Sequence, residues 1–125
     1  MLKLAVLLLA LTPAIALADK EFTGSDTATY DCAADPVINI TAGDGTYTFT
    51  GACKQINLNA GKVKITVADV EELNINGASN AVTATEVGAI NINGAKNKVT
   101  WKKAKTGKKP KVASNGVGNA VSKAK

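Results

Sequence analysis

A ten-residue phrase occurs twice in this chain, seventeen residues apart, and it limits the available folds more than any other feature. Residues 74–83 read NINGASNAVT and residues 91–100 read NINGAKNKVT, identical at eight of ten positions. A short unit repeated in the same direction is the signature of a coiled architecture in which successive copies stack. Extending the register backwards adds a third copy, with Ile56-Asn57-Leu58-Asn59 aligned on Leu73-Asn74-Ile75-Asn76 and Ile90-Asn91-Ile92-Asn93. A looser copy begins at Ile38-Asn39-Ile40 and runs through Tyr47-Thr48-Phe49. A last one, Gly116 to Val121, follows a Lys-rich insertion at 102–111.

Within each copy apolar and polar residues alternate, which is the period of a strand, and Gly, Ala and Asn separate the runs as turn material. Two strands per copy in constant order predict an all-β chain, a small parallel β-solenoid of about four to five short coils. Its rungs would lie about 4.8 Å apart. The expected interior columns are Ile56/Leu73/Ile90, Leu58/Ile75/Ile92 and Ile65/Val82/Val99. Trp101 shares the column of Val67 and Ala84 and is expected to plug the core near its C-terminal end. Asn80, Asn97 and Asn119 occupy one equivalent position. Because Asn tolerates left-handed backbone, they are expected to make a recurring corner. An antiparallel sandwich is the alternative fold, but it gives no reason for so regular a repeat.

Residues 1–18 read as a cleavable signal peptide: Lys3, an apolar run from Leu4 to Leu11, and a small-residue site at Ala16-Leu17-Ala18. The apolar run is too short for a comfortable transmembrane anchor. The expected organisation is a leader at 1–18, an acidic N-terminal segment at 19–31, a β-repeat domain at 32–122 and a basic tail end at 123–125. The expected location is periplasmic or secreted. Cys32 and Cys53 are the only cysteines. An even count in an oxidising compartment favours a disulfide over two buried thiols.

Charge is graded along the chain. Residues 19–50 carry net −5, residues 51–95 net −1 and residues 96–125 net +10, and all fifteen basic residues are Lys. Specific nucleic-acid sites lean on Arg forks and stacked aromatics, so no specific nucleic-acid partner is expected. Lys102, Lys103, Lys105, Lys108, Lys109 and Lys111 read instead as a surface for anions. The competing reading is a solubilising, mobile end.

The repeated I-x-I-x-G-x-x-N-x-V phrases follow two N-terminal cysteines. A Trp comes after one such Val (Trp101), and a Pro-containing link (Pro110) leads to a final G-x-x-N-x-V at 116–121. In this order the chain resembles the domain of unknown function 3060 family, over roughly residues 30–122. The resemblance implies an exported bacterial protein with a repetitive β fold, and it implies no activity. One copy departs from the pattern, with Ala60-Gly61-Lys62-Val63 where Gly and Asn are expected.

The chain has no His, which excludes Ser-His-Asp and Cys-His catalysis and the common His-based metal sites. No metal or cofactor is implied. The register stacks Asp69, Glu86 and Lys103. A carboxylate pair about 5 Å apart is the spacing of a retaining glycosidase, so a small glycan hydrolase or lyase is the alternative function. The competing reading is a surface charge ladder in which Lys103 offsets the Asp–Glu repulsion, with Lys54 over Glu71 as a second. Two outward amide rows, Asn57/Asn74/Asn91 and Asn59/Asn76/Asn93, form a possible polar array, or simply ladders along the stack. The leading expectation is a non-enzymatic exported module. It would contact an anionic envelope polymer or lipid surface, or self-associate through its basic end.

Overall fold

The computed structural model describes residues 19–125; the leader expected at 1–18 lies outside the described residues. The elements in chain order are β1 (Lys20–Phe22), β2 (Thr27–Asp31), β3 (Val37–Ile40), β4 (Thr46–Asn59), β5 (Lys64–Ala78), β6 (Ala81–Ala95), β7 (Lys98–Ala104), β8 (Lys111–Asn115) and β9 (Ala120–Lys123). Every pairing is parallel. The chain is an all-β, parallel β-solenoid of about five turns, as the repeat predicts.

Two ladders run down the stack. One passes from β1 through β3 and the second halves of β4, β5 and β6 to β8. The other passes from β2 through the first halves of β4, β5 and β6 to β7 and β9. The long strands bend within each rung. In β5, Ile65, Val67, Val70, Leu73 and Ile75 are buried, with two outward residues in succession at Ala68–Asp69 and again at Glu71–Glu72. Strict alternation breaks at these two places, and there the strand turns a corner.

The interior is the set of columns that the register implies. Ile56 lies over Leu73 and Ile90, Leu58 over Ile75 and Ile92, and Ile65 over Val82 and Val99, all buried. Each such side chain contributes about 1.5–3 kcal/mol through removal from water. The two ends are closed differently. Near the N-terminal end, Phe22, Tyr30, Tyr47 and Phe49 pack ring against ring at centroid distances of 4.8–6.0 Å. Beside them Cys32 and Cys53 form a buried disulfide over the Val70/Val87/Ala104 column. At the C-terminal end Trp101 lies under Ala84, 7% exposed, and fills the core as expected.

The glycine of the phrase has a steric cause. Gly94 lies directly under Gly77 with φ +153°, and a Cβ there would stand 1.8 Å from the Gly77 carbonyl oxygen. At Gly77 and Gly94 the rungs meet so closely that no larger residue fits.

The structure departs from two expectations of organisation. β1 and β2, from the acidic segment 19–31, pair into the sheet, and β9 reaches Lys123. The solenoid therefore extends past both ends of 32–122. The Lys-rich insertion is also built in rather than trailing: it lengthens one rung, so that Asn93 pairs with Asn115, whereas Asn76 pairs with Asn93 in a shorter rung.

Candidate functional site

The stacked column exists, but its chemistry differs from the expectation. Asp69 pairs in register with Glu86, and Glu86 with Lys103. The lysine that meets the carboxylates is Lys105: its Nζ lies 2.5 Å from Asp69 Oδ1, the one ion pair within 4.0 Å among the described residues. Lys103, although in register under Glu86, forms no ion pair within 4.0 Å. Lys105, two residues further along, has its backbone N–H anchored on the Val87 carbonyl and can fold back across two rungs. The hydrogen bond to Asp69, with the field of Glu86 and Glu71, raises the Lys105 pKa above its ordinary value, against a smaller opposing effect of desolvation. The proposed balance by Lys103 and the Lys54–Glu71 ladder do not form ion pairs. Asp69, taken up by Lys105, is poorly placed to act as a nucleophile or base, and no group of three or more His, Cys, Asp or Glu suited to a metal occurs among the described residues.

The outward Asn rows are hydrogen-bonded ladders. Asn91 Nδ2 donates to Asn74 Oδ1 at 2.8 Å, Asn74 to Asn57 at 3.0 Å and Asn57 to Asn39 at 2.8 Å. Asn39 then donates to Glu21 and Asp19, both at 3.1 Å, so the row begins on the acidic first rung. In the second row Asn76 donates to Asn59 and Asn115 to Asn93, each at 3.1 Å. In the first row Asn39, Asn57 and Asn74 each commit an amide hydrogen and the carbonyl along the stack, whereas each member of the second row commits only one of the two.

The third Asn column corrects the sequence reading. Asn80 and Asn97 are 1% exposed and point into the corner. The left-handed residues are their predecessors, Ser79 (φ 62°) and Lys96 (φ 57°), with Asp44 and Lys62 at the matching places in earlier rungs. The Asn side chains replace missing sheet bonds at the corner. Asn97 Oδ1 accepts the Asn80 backbone N–H at 3.1 Å and its Nδ2 at 3.0 Å, while Asn97 Nδ2 donates to the Gly77 carbonyl at 2.9 Å. Asn119 repeats the pattern below, and Asn80 Oδ1 accepts the Val63 N–H above. The deviant copy ending in Val63 is thus accommodated: its N–H is satisfied by the Asn of the next rung.

The remaining feature is the C-terminal end. The insertion places two hollows on either side of Trp101 and Lys123. The larger, about 360 Å³, is lined by Lys102, Lys103, Lys108 and Lys123 around Trp101, with no acid. The smaller, about 270 Å³, has Trp101, Pro110, Val112 and Val121 with Lys109 and Lys123 at its rim. Lys123 lies in register under Trp101, and its Nζ is 5.8 Å from the indole centroid. Of the six lysines expected to bind anions, Lys102, Lys103 and Lys108 line the larger hollow and Lys109 the smaller. Lys111 lies in register under Ala89, and Lys105 is engaged by Asp69. Lys123 was missed. Its signal was its register, two residues after Val121, which puts it in the Trp101 column.

No curated protein and no solved structure gives a significant match to this chain. Residues 61–118 match the family described as protein of unknown function (DUF3060), which bears out over that stretch the resemblance read from the repeated phrases.

Proposed function

We propose that this chain is an exported, non-enzymatic β-solenoid module that binds an anionic partner of the cell envelope through its C-terminal end. The observation that carries the reading is the larger hollow, where four lysines converge on Trp101 without a carboxylate among them. Cations that are not internally paired attract anions and raise their local concentration, more so in a concave site. Paired strands β7 and β9 hold the backbones of Lys102, Lys103 and Lys123, so a ligand has mainly side chains and the segment bearing Lys108 to order. The buried disulfide supports residence in an oxidising compartment. The enzymatic alternative is weakened by the Lys105–Asp69 pair, and neither hollow contains Asp69 or Glu86.

The test is binding of residues 19–125 to anionic vesicles and to an anionic polymer across a salt series. Binding at low salt that fades as the screening length shortens towards about 10 Å, at roughly 0.1 M, supports the reading. Absence of binding to any polyanion at low salt refutes it.

A further inference from the structure

The two strand edges at the C-terminal end are treated unequally. Among the described residues β8 and β9 each have one paired side only, against β6 and β7 respectively. Such an edge presents unpaired N–H and C=O groups, and an inward-pointing charge is one way of blocking it. β9 carries that block, because Lys123 occupies the inward column beneath Trp101. β8 does not: its inward positions are Val112 and Ser114, in register under Ile90 and Ile92, and Val112 is 46% exposed.

The N-terminal end shows the converse arrangement. β1 places Lys20 in the inward column over Ile38, with its Nζ 5.3 Å and 5.4 Å from the Phe22 and Tyr30 rings. β2 presents Ala28 and Tyr30 over Tyr47 and Phe49. If a second copy stacked head to tail, the open β8 would meet the blocked β1, and the blocked β9 would meet the open β2. Each ladder would enclose one lysine ammonium in the continued core, which is costly without a partner charge. The acid-to-base gradient alone would favour such stacking, and the inward lysines oppose it. A strand without an inward cation meets no such obstacle at β8.

We propose that β8 is a docking edge for an extended acidic peptide segment of another protein, which adds to the solenoid as a parallel strand. Charge complementarity identifies the occupant. Lys108 and Lys109 precede the edge and Lys111 begins it, so acidic residues at the start of the added strand would face them. The smaller hollow beneath Val112 and Val121, with Pro110 and Trp101 behind, takes one apolar side chain of that strand. Backbone bonds supply the grip and the alternate side chains the selectivity. This inference rests on the C-terminal end being the anion-binding end, and it names the class of partner.

The experiment titrates ¹⁵N-labelled residues 19–125 with a peptide of alternating Glu and Val, with inorganic polyphosphate as the charge-only probe. The expected result is slowed amide exchange in β8 with the peptide and not with polyphosphate. In Val112→Lys, which adds a cation but blocks the edge, peptide affinity is expected to fall at least tenfold while polyphosphate affinity is kept. Peptide binding that is unchanged or strengthened in Val112→Lys overturns strand addition and leaves the anion-binding reading standing. So does polyphosphate binding without peptide binding. Failure of both probes to bind wild type overturns both readings.

Discussion

Asn97 stands directly beneath Asn80 in the corner of the solenoid, and its carbonyl oxygen accepts both the main-chain and the side-chain N–H of the residue above. This pair shows how the coils are fastened where the sheet itself is interrupted. Both amides are buried, so every group left unpaired there carries its full desolvation cost. Asn97→Ala removes an acceptor from Asn80 and a donor from Gly77 and is expected to destabilise the fold by about 2–4 kcal/mol. Asn93→Ala, on the exposed outer row, should stay within about 0.5 kcal/mol. Urea unfolding of the two variants, run side by side, measures the difference; equal effects would contradict the assignment.

The disulfide closes the N-terminal aromatic end, with Cys32 and Cys53 twenty-one residues apart in sequence. Its removal in Cys32→Ala/Cys53→Ala is expected to cost about 3 kcal/mol, chiefly by freeing the unfolded chain. Because both sulfurs are buried, a reductant should act on the native protein only slowly. Thermal midpoints with and without reductant, after equilibration in denaturant, check both points.

Alkaline pH should weaken the fold. Tyr30 donates to the Asp35 carboxylate, which raises its pKa above 10.0, with smaller effects from desolvation and from the charges of Asp35 and Asp31. Tyr47 is raised mainly by burial, then by Asp26, and Lys105 is raised above 10.5 mainly by its bond to Asp69. A group whose folded pKa is raised contributes stability that is complete below its unfolded pKa and is lost as pH rises through the folded value. Stability should therefore hold from neutrality to about pH 9 and fall above about pH 10. Lys105→Met should make that fall shallower and cost no more than about 1 kcal/mol at pH 7. Thermal melts of both proteins between pH 7 and pH 11 provide the comparison.

The stack, its interior columns and the plug at Trp101 were legible in the sequence because they depend on a fixed repeat and a period of two. What the repeat could not convey was which way a side chain at a corner points. Tolerance of left-handed backbone points to Asn80 and Asn97 at the corner, yet Ser79 and Lys96 take that backbone and the amides turn inward. Register likewise placed Lys103 under Glu86 correctly, but the reach of a lysine side chain is not fixed by register, and Lys105 forms the ion pair. The first rung was missed because β1 and β2 are short, polar and outside any recognisable copy of the phrase. Lys20 and Lys123, the inward lysines, were read only as charge until the pairing placed them in core columns.

Those two lysines yield a prediction about assembly. Lys20→Val/Lys123→Val removes the inward cation from both ends while keeping both edges and most of the charge gradient. The double variant should associate head to tail, with mass increasing with concentration in analytical ultracentrifugation, where the parent remains smaller at the same concentration. A double variant that sediments like the parent would show that the lysines do not guard the ends.

Two variants of equal charge separate the site around Trp101 from net charge. Lys102→Gln/Lys103→Gln/Lys108→Gln/Lys123→Gln empties the larger hollow of cations, whereas Lys54→Gln/Lys62→Gln/Lys64→Gln/Lys98→Gln removes the same charge elsewhere. Affinity for an anionic polymer is measured at one low salt concentration. At least a tenfold loss is expected in the first variant and little change in the second. Equal losses in both would mean that net charge alone, and not the site around Trp101, holds the anion.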